Sequence, residues 1–291
     1  MDSPTKRVEI IPAKRRAMIL DWLRDHGATS IHELAISIGA SVSTIRRDLD
    51  QLTEAGYLER TFGGALLSTS PRATFEMDPS IVAEFALAQK RAIGAEAAKR
   101  LKNRESVIFD GGTTVLEAAR CAARRGLQLT AVTNGLDIAQ ALATAPGMIV
   151  MVPGGTVRSG FPTLVGEPGK DFLASVHADI CFLGIHAISG NLLTEASLEG
   201  AAIKQAMIKA SRRRILLADG SKFQMPALFT VCDLSVFDEF ITDDAVGEEQ
   251  LAALRALNVN VTIVPVDRSA TANGRERKSI PPAVSAVGSR S

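Results

Sequence analysis

Residues 41–55 read Ser41-Val42-Ser43-Thr44-Ile45-Arg46-Arg47-Asp48-Leu49-Asp50-Gln51-Leu52-Thr53-Glu54-Ala55, with Gly56 behind them. At about 100° per residue, Val42, Ile45, Leu49 and Leu52 share one face, which predicts a helix seated on a small core. Ser43, Arg47, Asp50 and Glu54 fall on the opposite face, with Thr44 and Arg46 on its flanks. The first turns therefore turn hydroxyls and guanidinium groups outward. Such groups suit the major groove of DNA: arginine reads guanine O6 and N7, and Ser or Thr takes a phosphate or a base edge.

The flanking residues extend this pattern. Pro12 suits the first position of a helix whose apolar stripe, Ala17, Ile19, Leu20 and Leu23, runs up to Gly27. Ser30-Ile31-His32-Glu33 fits a capping box, and the helix it opens, 31–38, stops at Gly39. Two helices joined across Gly39-Ala40 match a helix-turn-helix. Residues 57–62 and 65–67 flank Gly63-Gly64 as a hairpin, or wing. Residues 1–67 carry nine Lys or Arg and nine Asp or Glu, so the module is not strongly basic. Periodicity alone leaves two readings open, DNA binding and protein docking by a three-helix unit. In the second, Arg46-Arg47-Asp48 is a solvated face with local ion pairs.

The whole chain has 291 residues, enough for about two domains. Lys plus Arg is 33 against 32 for Asp plus Glu, a net charge of +1, so nucleic-acid binding has to be argued from local pattern. With 46% hydrophobic and 22% charged residues the chain is an ordinary globular one, not a disordered one. No apolar stretch approaches the roughly 18–20 residues that span a bilayer, and residues 1–7 lack the apolar core of a secretion signal. The expected setting is the cytoplasm, with no membrane partner. Cys121, Cys181 and Cys232 lie too far apart for a disulfide framework and read as small core residues. His26, His32, His177 and His186 show no i, i+4 pair and no cysteine at ligand spacing, so no metal and no cofactor are expected.

The expected organisation is a winged helix-turn-helix over 12–67, a linker over 68–80, an α/β domain over 81–267 and a disordered tail over 268–291. The linker contains the turn-forming run Ser68-Thr69-Ser70-Pro71-Arg72, and the tail is rich in Ser, Pro, Ala and Arg. Strands are expected at 106–109, 129–132, 148–152, 180–183, 214–218, 240–242 and 259–264. Helices are expected at 114–124, 136–143, 170–176, 198–211 and 247–257, with a helical connector over 81–101. This alternation predicts a mostly parallel sheet covered on both faces, with ligands beyond the carboxyl ends of its strands.

Four of the turns after these strands suit an anion. Asp110-Gly111-Gly112-Thr113-Thr114 brings backbone N–H groups, hydroxyls and a helix N-terminus together. Thr133-Asn134-Gly135, Pro153-Gly154-Gly155-Thr156-Val157-Arg158 and Asp219-Gly220-Ser221-Lys222 follow later strands. Arg158 and Lys222 are the natural phosphate counter-ions, and Asn134 could read sugar hydroxyls. A turn of this kind taken alone is a weak signal and more often a plain tight turn; it is the set of four that points to an anion. Lys204, Lys209 and Arg212-Arg213-Arg214 read as a solvated face, the lesser alternative being contact with ligand or a neighbouring subunit.

Thr44-Ile45-Arg46-Arg47-Asp48-Leu49, with Leu52, Gly56, Leu58, Arg60 and Gly63-Gly64-Ala65, resembles the signature of the DeoR family of bacterial transcriptional regulators. Ile31-His32-Glu33-Leu34-Ala35 and Ile38-Gly39-Ala40-Ser41 resemble the same family, although Ala40 is smaller than its usual apolar residue. The four later turns resemble its sensor domain in the same order, so the resemblance spans about residues 14 to 245. Gly184-Ile185-His186-Ala187-Ile188-Ser189-Gly190 stands where the family is richer in glycine.

The resemblance implies a ribose-5-phosphate isomerase-like sensor fold and a phosphorylated sugar or related metabolite as effector. It also implies a homo-oligomer, dimer or tetramer, on double-stranded operator DNA, as a repressor of a carbohydrate-catabolism operon. The expected DNA contacts are Ser41, Ser43, Thr44, Arg46, Arg47 and Arg60. The expected effector contacts are Asp110, Gly111, Gly112, Thr113, Thr114, Thr133, Asn134, Gly154, Gly155, Arg158 and Lys222. The alternative is a sugar-phosphate isomerase-like enzyme carrying an accessory helix-turn-helix. Asp110, Glu195, Glu199 or Asp219 would then be its base and Lys222 its oxyanion partner. Each of these has a structural role too, Asp110 as a cap on the helix that follows it.

Overall fold

A computed structural model describes residues 10–68, 73–257 and 259–266. The expected tail, 268–291, and residues 69–72 of the expected linker lie outside the described residues.

The chain begins with α1 (Pro12–His26), β1 (Thr29–Ser30), α2 (Ile31–Ile38) and α3 (Val42–Glu54), then β2 (Leu58–Thr61) and β3 (Gly64–Leu67). Pro12 opens α1, and the capping box of α2 is complete: the Glu33 N–H donates to Ser30 Oγ and the Ser30 N–H to Glu33 Oε2. Gly39 ends α2 in the left-handed region, φ 73°, where a side chain would be strained. The wing gains a strand the sequence did not suggest, since β1 pairs antiparallel with β3 to give the order β1-β3-β2. Ile19, Leu20, Leu23, Leu34, Ile45, Leu49 and Leu52 form the core beneath.

Residues 73–78 are irregular and lead into α4 (Pro79–Glu84) and α5 (Leu87–Ala98). The single helical connector expected over 81–101 is therefore two helices. Phe85 is extended and Ala86 takes the left-handed conformation, φ 53°, so no i to i+4 ladder crosses them. The break is held from both sides: the Ala86 N–H donates to Asp21 on α1, and the Lys90 ammonium donates to the carbonyls of Val82 and Phe85. Ile81, Phe85 and Ala86 pack into the N-terminal core, whereas Ile93 and Ala97 of α5 belong to the larger domain.

That domain continues with β4 (Ser106–Phe109), α6 (Thr113–Arg124), β5 (Leu129–Thr133), α7 (Leu136–Ala143), β6 (Met148–Met151), β7 (Thr156–Val157), β8 (Leu164–Val165) and α8 (Gly169–Ala174). It ends with β9 (Ala178–Leu183), β10 (Ala187–Ser189), β11 (Leu192–Glu195), α9 (Leu198–Lys209), β12 (Ser211–Leu217), β13 (Phe229–Asp233), β14 (Glu239–Asp243), α10 (Glu248–Ala256) and β15 (Asn260–Val264). Seven strands make one parallel sheet in the order β15-β14-β12-β9-β4-β5-β6. Each corresponds to one of the seven expected strands.

One apolar cluster gathers α5, α6 and α7 on one face of the sheet, and a second gathers α9 and α10 on the other. The order reverses between β4 and β9, the topological switch point, so a crevice opens there beyond their carboxyl ends. Two features went unforeseen, the pair β7-β8 and a small antiparallel sheet, β10-β11-β13, over the end of α9. The loop 184–190 thus contains a strand. No helix among the described residues is long and apolar enough to cross a membrane.

Candidate functional site: an exposed helix face and an interdomain cleft

The outward face of α3 is open. Ser43, Arg46, Arg47 and Asp50 are exposed, while Ile45, Leu49 and Leu52 are buried, and Val42 and Thr44 sit at the boundary. Ser41 is the N-cap, its hydroxyl accepting from the Thr44 N–H and lying 2.9 Å from that of Ser43. Arg60 on β2 reaches back to Asp50 at 3.2 Å, so it links wing and helix.

Asp48 contradicts the second of the two readings. It is not part of a solvated face but is 2% exposed, gripping Arg15 of α1 through both carboxylate oxygens (2.5 and 3.2 Å) with Arg16 at 3.4 Å. Arg46 and Arg47 are thus on the open side of α3, and Asp48 fastens the opposite side to α1.

The second feature is a cleft of about 620 Å³ bounded by both domains. Tyr57, Phe75, Glu76 and Val82 line it from the N-terminal side. The sheet side contributes Asp110, Thr113, Asn134, Arg158, His186, Glu195, Lys204 and Lys222.

Its floor is the switch point itself. The Gly184 N–H, just past β9, donates to Asp110 Oδ2 at 3.0 Å, and the Lys204 ammonium from α9 donates to the same oxygen and to the Gly184 carbonyl. Glu195 Oε1 lies 3.5 Å from Lys204 and accepts the His186 N–H at 3.2 Å. Lys204 is 8% exposed, so its expected place on a solvated face is corrected: α9 turns it inward onto a carboxylate 94 residues away in sequence. Asp110 likewise does not cap α6, whose N-cap, Gly112, has no side-chain hydrogen bond.

Electrostatics follow from this burial. Burial opposes the Lys204 ammonium, yet Asp110 and Glu195 more than offset it and raise its pKa. Burial raises the Glu195 carboxyl against the pull of Lys204, and Asp110 and Glu76 push it further up. His186 is pushed down to about 4 by burial and then by Lys222, so its imidazole is neutral near pH 7.

The remaining expected effector residues divide into two groups. Gly111, Gly112, Thr113 and Thr114 line the cleft at the start of α6, whose first-turn N–H groups are uncapped by any side chain. Gly111 is required by close approach: a Cβ there would lie 2.4 Å from Thr163 Cγ2. Lys222 lines the cleft and makes no ion pair or side-chain hydrogen bond among the described residues. Asn134 also lines it, but its amide is spent on structure, accepting from the Gly111 N–H (2.7 Å) and donating to the Leu164 carbonyl (3.0 Å).

Thr133 is fully buried, its hydroxyl accepting the Gly135 N–H, and Gly154 and Gly155 turn between β6 and β7 outside the cleft lining. Of the other candidate bases, Asp219 is buried and caps its own turn through the Ser221 N–H, and Glu199 is exposed on α9.

Four side chains at the cleft went unnoticed in the sequence: Phe75, Glu76, Phe161 and, as a buried cation, Lys204. Arg158 meets Glu76 in a two-pronged ion pair, Nη1 to Oε1 at 2.7 Å, while its guanidinium lies 4.5 Å above the Phe161 ring. The expectation of no metal rested on local spacing, yet the fold brings ligand atoms of Glu76, His186 and Glu195 within 4.8 Å of one another. Arg158 already holds Glu76 and Lys204 stands beside Glu195, so this trio is matched to the protein's own cations.

Comparison with known proteins agrees with both halves. The family model of the DeoR-like helix-turn-helix domain matches residues 15–71, and that of the DeoR C terminal sensor domain matches residues 86–244. The HTH-type transcriptional regulator GlpR of Haloferax volcanii is 32% identical, over 87% of this chain and 98% of its own. The transcriptional repressor AccR of Agrobacterium fabrum is 33% identical, over 79% and 88%. The glycerol-3-phosphate regulon repressor of Escherichia coli K12 is 31% identical, over 79% and 90%. A solved ribose 5-phosphate isomerase from Methanocaldococcus jannaschii aligns over 47% of this chain and 55% of its own, at 15% identity and a TM-score of 0.36, a likeness too slight to draw on. With both domains matched in order and relatives aligned over nearly their whole length, the chain belongs to the DeoR family of DNA-binding transcriptional regulators.

Proposed function

We propose that this chain represses a carbohydrate-catabolism operon, that a phosphorylated sugar or related metabolite controls it, and that it catalyses no reaction. The observation that carries the reading is the cleft shared by the two domains, with Lys222 and the uncapped start of α6 on its sheet side. A helix N-terminus and a lysine together favour a phosphate. A ligand seated there touches the N-terminal body as well, so it has a means of preferring one domain arrangement; equal affinity for both would shift nothing. The glycerol-3-phosphate regulon in the name of the Escherichia coli relative supports the same ligand class. Against catalysis, Asp110 is occupied by Lys204 and the Gly184 N–H.

The DNA contacts proposed are Ser41, Ser43, Thr44, Arg46, Arg47 and Arg60. One such module reads few base pairs, so a cytoplasmic homo-oligomer, dimer or tetramer, would place several on repeated half-sites. Arg47→Ala is expected to weaken specific DNA binding by about 1–3 kcal/mol without lowering the melting temperature, since the side chain is exposed. An unaltered gel shift would remove α3 from the groove.

The ligand class is tested by a melting-temperature screen against sugar phosphates, because a molecule bound at 100 times its Kd stabilises the native state by about 2.7 kcal/mol. Lys222→Ala should weaken the hit by roughly tenfold to a hundredfold, the value of one charge-assisted hydrogen bond, with DNA binding retained. A hit indifferent to Lys222 would move the ligand elsewhere.

A further inference from the structure

The cation best shaped for a phosphate is already taken. Arg158 offers its planar fork to Glu76, and both residues line the cleft proposed above for the ligand. Glu76 belongs to residues 73–78, which join the wing to α4, and that stretch is held by both domains. On the N-terminal side the Asp78 N–H donates to the Tyr57 hydroxyl at 2.6 Å, and Phe75 meets the Tyr57 ring edge-on at 5.2 Å. On the sheet side the Leu228 N–H donates to the Ala73 carbonyl at 3.0 Å. Glu76 adds the ionic contact.

We propose that the Glu76 carboxylate is a tethered occupant of the Arg158 anion site, which the ligand's phosphate must displace, so ligand binding and docking of residues 73–78 exclude one another. The inference rests on the cleft being the ligand site and adds how occupancy reaches the DNA-binding domain.

Two features make Glu76 displaceable. A phosphate monoester carries about −1.5 to −2 charge and three acceptor oxygens, against one charge and two oxygens for a carboxylate, so it is the stronger partner of the guanidinium fork. Glu76 also lies beside a second acid, its ligand atoms within 4.8 Å of those of Glu195, and the two carboxyl groups repel one another. Its departure relieves that repulsion. The Phe161 ring beneath the guanidinium keeps the fork in place for the incoming anion. Release of Glu76 removes the ionic tie between residues 73–78 and the sheet domain, which frees the wing, through Tyr57, to move.

The test uses the full chain with inorganic phosphate as the probe. If the tether holds the site closed about nine-tenths of the time, Glu76→Gln lowers the phosphate concentration for half-maximal thermal stabilisation by about tenfold. In the wild type, phosphate should speed hydrogen exchange at the amides of 73–78. The exchanged pair Glu76→Arg with Arg158→Glu should keep those amides protected and lose the phosphate effect. Equal half-saturation in wild type and Glu76→Gln, both abolished by Lys222→Ala, would leave the ligand site standing and overturn the tether. Slower exchange at 73–78 on adding phosphate would overturn it as well. No stabilisation in either protein, or stabilisation indifferent to Lys222, would overturn the ligand site and the tether together.

Discussion

Lys204→Met is expected to destabilise the protein by about 3–5 kcal/mol, the usual effect of removing one partner from a buried ion pair. In a chain of this size that lowers the melting temperature by roughly 6–20 °C. The cause is local. Asp110 and Glu195 are 1% and 8% exposed, and Lys204 is the cation between them. Without it two carboxylates face each other at the switch point of the sheet.

The sign of the pH dependence follows. Burial and the charge of Asp110 already raise the Glu195 carboxyl, and Lys204 is the influence holding it down. In Lys204→Met the folded-state pKa rises further above the unfolded value, so the folded protein binds the proton more tightly and gains stability as pH falls. The deficit measured by thermal melts should therefore shrink between pH 7.5 and pH 5. Adding Asp110→Asn should recover part of it. A variant that melts like the wild type would return Lys204 to the solvated surface.

Asp48→Ala is expected to cost about 1.5–3 kcal/mol, the range for hydrogen bonds to charged groups, and to weaken operator binding with it. Arg15 and Arg16 keep partial access to solvent, 15% and 28%, so they are less stranded than the carboxylates around Lys204. What is lost is the clamp of α3 on α1. The two roles open to Asp48 predict opposite signs. An acid lying free beside DNA phosphates repels them, so its removal would tighten binding and steepen the salt dependence. A clamp that orients the reading helix would weaken binding on removal. Gel shifts at two salt concentrations, with melting curves alongside, separate them, and tighter binding at unchanged stability would contradict the clamp.

What the residues announced in advance were features encoded within one turn or one strand. The apolar stripe of α3, the capping box at Ser30 and Glu33 and the seven parallel strands depend on neighbours in sequence, and all appear in the fold. Single polar side chains whose partners are remote did not declare themselves. Asp48 beside two arginines looks like a surface charge until Arg15 arrives 33 residues upstream, and Lys204 looks like its neighbour Lys209 until Asp110 meets it.

The bend at Ala86 carries no Gly or Pro to mark it; the tertiary contact of Asp21 and the local one of Lys90 hold it. Thr133 and Asn134 follow β5 as expected, but the Thr133 hydroxyl serves its own turn and the Asn134 amide ties Gly111 to Leu164. Glu76 fell in a stretch read only as linker, where no periodicity distinguishes a functional acid from a solvated one.

The central claim is that an exposed α3 reads DNA and that the cleft beneath reports a phosphorylated metabolite to it. The most direct measurement selects binding sites for the purified full-length chain from a library of random duplexes, then repeats the gel shift on the enriched sequence with a panel of sugar phosphates. The account predicts enrichment of a repeated half-site, loss of it in Arg47→Ala, and release of the DNA by at least one sugar phosphate in the wild type but not in Lys222→Ala. No enriched sequence, or an enriched site that every sugar phosphate leaves bound, would contradict it.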